Sequence, residues 1–358
     1  MHKSIKEVKN KIMKTIVFTG GGTAGHIMPN VALFSEAEKS FDKIAYIGSN
    51  KMEKEILKNF PKVSFYEIPC VKLVRKLTPK NLLIPFKLIQ SIKEAKKILK
   101  KLNPNVVFSK GGYVSLPTVI AAKHLNIPVI SHESDMTMGL ANKIIYHCSN
   151  LMLTSFESTG RNKKKCVFTG SPIREDIFLG NKNNLKLNPN TKPTILFFGG
   201  SLGSKTINDM VEKCADELCK HFNILHLTGK GKSTNVNNKN YFQQEFVPRI
   251  EDFFDAADLV VTRGGANALF ELRALKKPML IIPLPKSESR GDQIDNANYF
   301  AEKGWAKVLM EENLNPATFL TSIENLNKNK KEIIKNMEKT ENTFPNKKIM
   351  EIIVKNSK

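Results

Sequence analysis

The sequence predicts an α/β protein built from two doubly wound domains. Short apolar runs alternate with helical patterns, the alternation restarts near residue 194, and a glycine-rich loop follows the first strand of each half. Strand, helix and strand at this spacing are typical of right-handed βαβ units around a parallel sheet. A chain of 358 residues is long enough for two such cores.

The predicted strands of the first half are 15–19, 43–48, 106–110, 128–132, 151–155 and 165–170, with helical periodicity at 29–39 and 88–102. The polar segment 181–193 indicates a loop. TILFF, NILHLTG, FQQEFV, LVVT and MLIIPL predict the strands of the second half. We expect an N-terminal extension at 1–14 and domains at 15–173 and 174–358, with the last helices packing back on the first domain.

Composition excludes several classes of protein. No apolar run reaches the ~18–20 residues of a membrane span, and the N-terminus lacks the pattern of a signal peptide. Five cysteines without a C-x-x-C pair predict free thiols in a reducing compartment. The net charge of +22 is spread along the chain, and no block interleaves basic and aromatic residues, so we predict no nucleic-acid partner. The histidines show no metal-ligand spacing.

Four glycine segments, 20–26, 110–115, 199–204 and 263–268, fall at the predicted carboxyl ends of strands. Ligands of open α/β sheets bind at these ends, so the sequence predicts a ligand held between the domains. Gly20, Gly22 and Gly25 also match G-x-G-x-x-G. No acid directly follows the second strand, however, and the loop runs into His26, which disfavours a dinucleotide site.

The second half suits a nucleoside diphosphate. The loop 199–204 places Ser201 at a predicted helix N-terminus, where N–H groups bind phosphate. Glu271 suits the hydroxyls of a ribose, with a solvated helix glutamate as the alternative. Arg174 suits the charge of a departing diphosphate; the alternative is a surface arginine paired with Glu175 or Asp176. The chain has no D-x-D motif, so we predict neither a metal ion nor a cofactor.

The ordered set GGGTAGH, SKGGYVSLP, IPVISHESD, GLANK, GSPIR, GGSLGSKTIN, RGGANALFEL and GDQIDNA resembles the MurG family of N-acetylglucosaminyltransferases. The resemblance implies a GT-B fold, in which two Rossmann-like domains are separated by a deep cleft. It implies an inverting, metal-independent transfer of N-acetylglucosamine from UDP-GlcNAc to the muramoyl 4-hydroxyl of undecaprenyl-diphosphate-MurNAc-pentapeptide (lipid I), giving lipid II for peptidoglycan synthesis, cell shape and division. The first domain would take the acceptor and face the membrane; the second would bind the UDP-sugar.

The resemblance also assigns residues. Those against the donor are Thr23, Ala24, Gly25, Arg174, Ser201, Phe246, Val247, Ala266, Asn267, Glu271 and Gln293. A general base must take the acceptor's proton. We expect His26 in this role, with Glu133 and Asp135 as alternatives, because Asp135 stands where relatives often have Asn. The alternative for His26 is a hydrogen-bonding role without proton transfer.

The lipid-linked acceptor requires a membrane contact. Segment 73–90 sets Leu82, Leu83, Ile84 and Phe86 among lysines and an arginine, which suits an anionic leaflet; a lysine-faced amphipathic helix is the alternative. We predict a peripheral protein on the cytoplasmic face of the cell membrane, with other cell-wall synthesis proteins as further partners. The alternative functions are another GT-B transferase acting on a membrane glycolipid and a non-catalytic nucleotide-sugar-binding or dinucleotide-binding protein.

Overall fold

The computed structural model describes residues 13–49, 52–70, 84–185, 192–340 and 344–358. The first domain contains strands β1 Thr15–Thr19, β2 Lys43–Gly48, β3 Val63–Glu67, β4 Val106–Ser109, β5 Val129–Glu133, β6 Leu151–Thr154 and β7 Cys166–Phe168. Its helices are α1 Ala24–Val31, α2 Phe34–Ser40, α3 Met52–Leu57, α4 Ile84–Leu102, α5 Ser115–His124 and α6 Leu140–Cys148.

The second domain contains β8 Thr194–Phe198, β9 Asn223–Leu227, β10 Tyr241–Gln244, β11 Leu259–Thr262, β12 Met279–Ile281 and β13 Ala306–Val308. Its helices are α7 Lys205–His221, α8 Ile250–Ala256, α9 Ala266–Ala274, α10 Asp292–Glu302 and α11 Pro316–Glu338, and the chain ends in α12 Asn346–Lys355. Short 3-10 turns occupy Ser158–Gly160, Glu175–Leu179, Lys182–Leu185 and Glu311–Asn313.

Both sheets are parallel and doubly wound. The first has the order β3-β2-β1-β4-β5-β6-β7 and the second β10-β9-β8-β11-β12-β13. The strand order therefore reverses between β1 and β4 and again between β8 and β11. These are the switch points at which such sheets bind ligands. Each of the four glycine segments directly follows one of these four strands. The predicted position of the segments at the carboxyl ends of strands is therefore confirmed.

The predicted strands are confirmed to within two residues at most ends, but the sequence analysis missed β3 and β13. The helix predicted at 29–39 is wrong as a single element, because α1 ends at Val31 and α2 begins at Phe34. At the break, the carbonyl of Ala32 accepts a hydrogen bond from Asn346 Nδ2 at 2.8 Å instead of continuing a helix ladder. The helix predicted at 88–102 begins earlier, at Ile84.

Helix α12 crosses to the first domain. Its apolar residues Ile349, Met350 and Ile353 are buried in the cluster that contains Ile16 and Phe18 of β1. The spacing of these three residues gives one apolar stripe along the helix. No helix in the described part of the chain is both long and apolar enough to cross a bilayer.

Candidate active site

A buried carboxylate hydrogen-bonds to the glycine loop after β1. Glu53, which is fully buried, accepts hydrogen bonds from Gly22 N at 2.9 Å and from Ser49 Oγ at 2.9 Å. A Cβ on Gly21 would lie 1.7 Å from Glu53 Oε1. Glu53 thus supports the glycine loop, a role that the sequence analysis did not predict.

Pro29 explains how the two domains meet at this loop. Pro29 lies inside α1 and has no N–H, so the carbonyl of Gly25 has no intrahelical donor four residues later. Asn267, at the start of α9, donates from Nδ2 to this carbonyl at 2.9 Å. Asn267 Oδ1 also accepts from Ser134 Oγ at 3.0 Å. The proline of one domain therefore creates the acceptor that the asparagine of the other domain uses.

His26 lies in the first turns of α1, half-buried against Gly112. Its Nδ1 is 2.9 Å from Thr23 Oγ1. Burial, together with the positive charges of Lys110 and Arg290, lowers the pKa of His26 from its ordinary value to about 4. The imidazole is therefore neutral at neutral pH and has a lone pair available.

A buried ionisable cluster lies beside His26 at the ends of β4 and β5. Lys110 is almost completely buried, and its Nζ lies within hydrogen-bond distance of His132 Nδ1. His132 Nε2 lies 3.0 Å from the carbonyl of Gly170. A carbonyl only accepts, so Nε2 carries the proton and Nδ1 accepts from Lys110. Burial lowers the pKa of Lys110, whereas the charges of Glu133 and Asp135 raise it.

The two carboxylates of this cluster differ in their surroundings. Glu133 accepts from Asp135 N at 3.0 Å, Gly139 N at 3.3 Å and Asn142 Nδ2 at 2.8 Å, so it holds the loop after β5. Asp135 is more exposed and reaches the second domain, accepting from Asn296 Nδ2 at 3.2 Å and pairing with Arg290 at 3.5 Å. Burial is the largest cause that raises the pKa of each carboxyl.

Arg174, at the point where the chain passes from the first domain to the second, faces Glu271 of α9. Arg174 Nε donates to Glu271 Oε1 at 2.8 Å and Nη2 donates to Oε2 at 3.4 Å, and each side chain is 14% exposed. Arg174 also contacts Asp176 at 3.3 Å. The charge of Glu271 raises the pKa of Arg174, whereas burial lowers it. Arg174 is thus more than a surface arginine paired with Asp176, and Glu271 is not a solvated glutamate.

The loop 199–204 differs from the prediction in one respect. The N-cap of α7 is Ser204, whose Oγ accepts from Ile207 N at 3.3 Å. Ser201 was predicted at the helix N-terminus but lies three residues earlier, in an exposed turn closed by a bond from Gly203 N to Gly200 O at 3.0 Å. Ser201 is therefore open to a ligand, and the helix supplies its own cap.

The structure gives the following positions for the remaining predicted donor residues. Thr23, Ala24 and Gly25 lie at the start of α1, and Ala266 begins α9. Gln293 Oε1 accepts from Gly264 N and from Leu284 N, each at 3.1 Å, so its carbonyl is already used and only its amide N–H groups can serve a sugar. Phe246 is 70% exposed, and Val247 packs partly against the second core.

The sequence analysis missed Lys110, Arg290 and the structural role of Glu53. The sequence did contain a signal for Lys110: this lysine stands directly after an apolar strand and before two glycines. Among the described residues, no group of three or more His, Cys, Asp and Glu side chains is placed to hold a metal ion. Leu82 and Leu83 of the predicted membrane contact lie outside the described residues, as does the side chain of Ile84. Phe86, at the start of α4, is 72% exposed.

Comparison with known proteins agrees with this geometry. Residues 16–153 match the glycosyltransferase family 28 N-terminal domain and residues 194–353 match the family 28 C-terminal domain. The chain is 45% identical over 333 residues to a Clostridium tetani protein, covering 90% of this chain and 93% of the relative. It is 41% identical over 355 residues to a Staphylococcus aureus (strain MRSA252) protein, covering 96% and 99%.

Both relatives are named UDP-N-acetylglucosamine--N-acetylmuramyl-(pentapeptide) pyrophosphoryl-undecaprenol N-acetylglucosamine transferase. Among solved structures, Acinetobacter baumannii MurG superposes with a TM-score of 0.73 at 23% identity, covering 96% of this chain and 99% of that one. A glycosyltransferase of kitacinnamycin superposes with a TM-score of 0.75 at 13% identity, covering 96% and 99%. These structures establish the shared two-domain fold.

Proposed function

Because this chain belongs to the MurG family of glycosyltransferase family 28, we propose how its cleft carries out that family's reaction. The enzyme is an N-acetylglucosaminyltransferase of peptidoglycan synthesis, with UDP-GlcNAc as donor and the lipid-linked MurNAc-pentapeptide as acceptor. The observation that carries this conclusion is 41–47% identity to curated relatives of that name over nearly the whole chain. The glycine segments at both switch points support it.

The donor diphosphate binds beside the second sheet in this proposal. The N-terminus of α9 and the exposed turn at Ser201 offer N–H and hydroxyl donors, which suit phosphate oxygens. Arg174 adds a positive charge that stabilises the diphosphate as it leaves. The paired Glu271 orients the guanidinium and lies within reach of the ribose hydroxyls.

The transfer is a single displacement with inversion. The acceptor hydroxyl oxygen forms a bond to the anomeric carbon, the bond from that carbon to the diphosphate oxygen breaks with its electron pair, and UDP leaves. The acceptor's proton passes to a base. We assign this role to His26, which is neutral at neutral pH and stands at the glycine loop that faces α9.

A pKa of about 4 makes free His26 a weak base. The negative charge of a bound diphosphate would raise this pKa, so the base strengthens when substrate is present. Asp135 is the alternative base, because it is more exposed than Glu133 and reaches the second domain. Glu133 is bound by three donors of its own loop and fits a positioning role.

The proposed membrane contact includes the first turns of α4. Phe86 and Ile89 are 72% and 51% exposed, and Lys87 and Lys93 are exposed beside them. Apolar tips among lysines suit an anionic membrane surface. Replacement of Leu83 and Phe86 by Glu is expected to reduce binding to phosphatidylglycerol vesicles while UDP binding stays unchanged. Unchanged vesicle binding would remove this surface from the proposal.

The experiment that tests the function is a matrix of donors and acceptors. UDP release is measured with UDP-GlcNAc, UDP-glucose and UDP-GalNAc, each with lipid I, with a diacylglycerol glycolipid and without acceptor. We expect rapid release only with UDP-GlcNAc and lipid I. Release with the glycolipid instead would identify a different GT-B transferase, and binding of UDP-GlcNAc without release would identify a non-catalytic protein.

A further inference from the structure

A second cavity lies between the domains, away from the cleft of the proposed reaction. Its volume is about 490 Å³, within the usual range of small-molecule sites. The first domain contributes the ends of β6 and β7, the second contributes α9, α10 with the turn after it and the end of α11, and α12 contributes Lys348. We call it the basic cavity; the lining residues that matter here are Glu157, Arg273, Trp305, Lys303, Lys339 and Lys348.

The lining of the basic cavity is strongly positive. Arg273 and three lysines face a single acid, Glu157. The three lysines are Lys303, Lys339 and Lys348, and each is exposed to solvent. Four cations around one concave space attract an anion and raise its local concentration.

Arg273 is the feature that points to a bound anion. It is 7% exposed, and its guanidinium lies over the ring of Trp305 at 4.2 Å from the centroid. Its Nε is buried and has no hydrogen-bond partner, and no carboxylate of the described chain forms an ion pair with it. A buried arginine is normally paired, because an uncompensated buried charge is costly.

Helix geometry separates this cavity from the proposed donor site. Glu271 and Arg273 are two residues apart on α9, so they project from different faces of the helix. Glu271 faces Arg174, whereas Arg273 faces Trp305 and the basic cavity. A ligand in one site therefore does not occupy the other.

We propose that the basic cavity binds a small soluble phosphate ester, with buried Arg273 as its anchor and the surrounding lysines as further contacts. A phosphate accepts two hydrogen bonds from a guanidinium, which would supply the partner that Arg273 lacks. The lysines suit the second charge of a phosphate monoester or a diphosphate. The aromatic side chains of the lining cover the organic part.

The bound ester would also act on the reaction site through one short segment. Thr169 and Gly170 line the cavity, and the carbonyl of Gly170 accepts from His132 Nε2 at 3.0 Å. The same segment continues to Arg174. A ligand that holds Gly170 in place therefore steadies both the cluster of His132 and Lys110 and the arginine of the proposed diphosphate site.

Trp305 gives this proposal a direct test, because it is the only tryptophan of the chain and lies in the cavity wall. Inorganic pyrophosphate is titrated into the full chain saturated with UDP, and the tryptophan fluorescence is followed at constant ionic strength. We expect a saturable change whose dissociation constant rises at least tenfold in Arg273→Met. We expect a several-fold rise in Lys339→Gln and none in Lys335→Gln, a matched lysine of α11 one turn before Lys339.

Three results would overturn the proposal. The first is a fluorescence change that sodium chloride reproduces at the same ionic strength. The second is a dissociation constant for pyrophosphate that is equal in the wild type and in Arg273→Met. If Arg273→Met does not fold, Lys303→Gln and Lys339→Gln replace it, and unchanged affinity in both would be equally decisive. The third is a response to phosphatidylglycerol vesicles with none to pyrophosphate, which would identify a lipid headgroup in place of a soluble ester.

Discussion

Arg174→Met tests the proposed stabilisation of the leaving group. Methionine keeps most of the length and apolar contact of the arginine but removes five N–H donors and the charge. In the wild type, Arg174 donates twice to Glu271, at 2.8 and 3.4 Å, with both side chains 14% exposed. The positive charge of Arg174 is therefore poorly screened by water, and it faces the proposed position of the departing diphosphate.

The expected loss follows from what this donor does in the transition state. Removal of one preorganised donor to a developing negative charge costs about 3–4 kcal/mol, or 100- to 1,000-fold in kcat. Glu271 is also left unpaired near the diphosphate and repels it, so KM for UDP-GlcNAc rises. The double variant Arg174→Met with Glu271→Gln removes this repulsion. We expect it to recover part of the KM change, with a coupling free energy of about 1–2 kcal/mol.

The assay is steady-state UDP release with UDP-GlcNAc and lipid I, together with UDP affinity by calorimetry. Arg249→Met is the matched control, because Arg249 also pairs with a carboxylate of the second domain, Asp252 at 3.2 Å, but is not among the predicted donor residues. The control is expected to keep kcat within twofold. A kcat for Arg174→Met within threefold of the wild type would refute the assigned role.

Three further predictions address the base, the junction and the buried histidines. His26→Ala is expected to lower kcat 100- to 10,000-fold with unchanged UDP affinity, whereas exposed His124→Ala changes neither; near-normal turnover would exclude His26 as the base. Asn346→Ala leaves Ile173 N and two carbonyls unpaired, so chemical denaturation should show a free energy of unfolding that is lower by about 3 kcal/mol. Asn356→Ala, at the end of the same helix, should lower it by less than about 0.5 kcal/mol. Equal losses in the two variants would contradict the argument. Burial lowers the pKa of His226 to about 4, so the unfolded chain binds more protons between about pH 6.5 and 4 and stability falls as pH falls through that window. His226→Gln should lose about 3 kcal/mol less than the wild type across it, and identical pH profiles would refute this.

Much of the fold could be predicted because strand periodicity and glycine loops are local signals. β1, β2 and β8 are continuous apolar runs buried on both faces of a parallel sheet, and such runs are read directly from the sequence. β3 was missed because only Val63 of its five residues is buried and both Ser64 and Glu67 are exposed, so the strand is not a continuous apolar run. β13 is three residues long and resembles a loop.

The candidate site was predicted less completely, because its decisive contacts join distant segments. The sequence placed His26 at a glycine loop and Asn267 at a helix start, yet nothing local shows that Asn267 bonds to Gly25, 242 positions away. Lys110 is buried only because β4 and β5 pair side by side and bring His132 to it. The sequence predicted Ser201 at the N-terminus of a helix, but the N-cap of α7 is Ser204.

The most direct test of the account is a crystal structure of this chain with UDP bound. We predict that the pyrophosphate lies in the cleft between Ser201 and Arg174, within hydrogen-bond distance of the Arg174 guanidinium and the N-terminus of α9. A pyrophosphate bound elsewhere, such as at the glycine loop after β1 or in the basic cavity, with Arg174 still paired only to Glu271 and Asp176, would contradict the account.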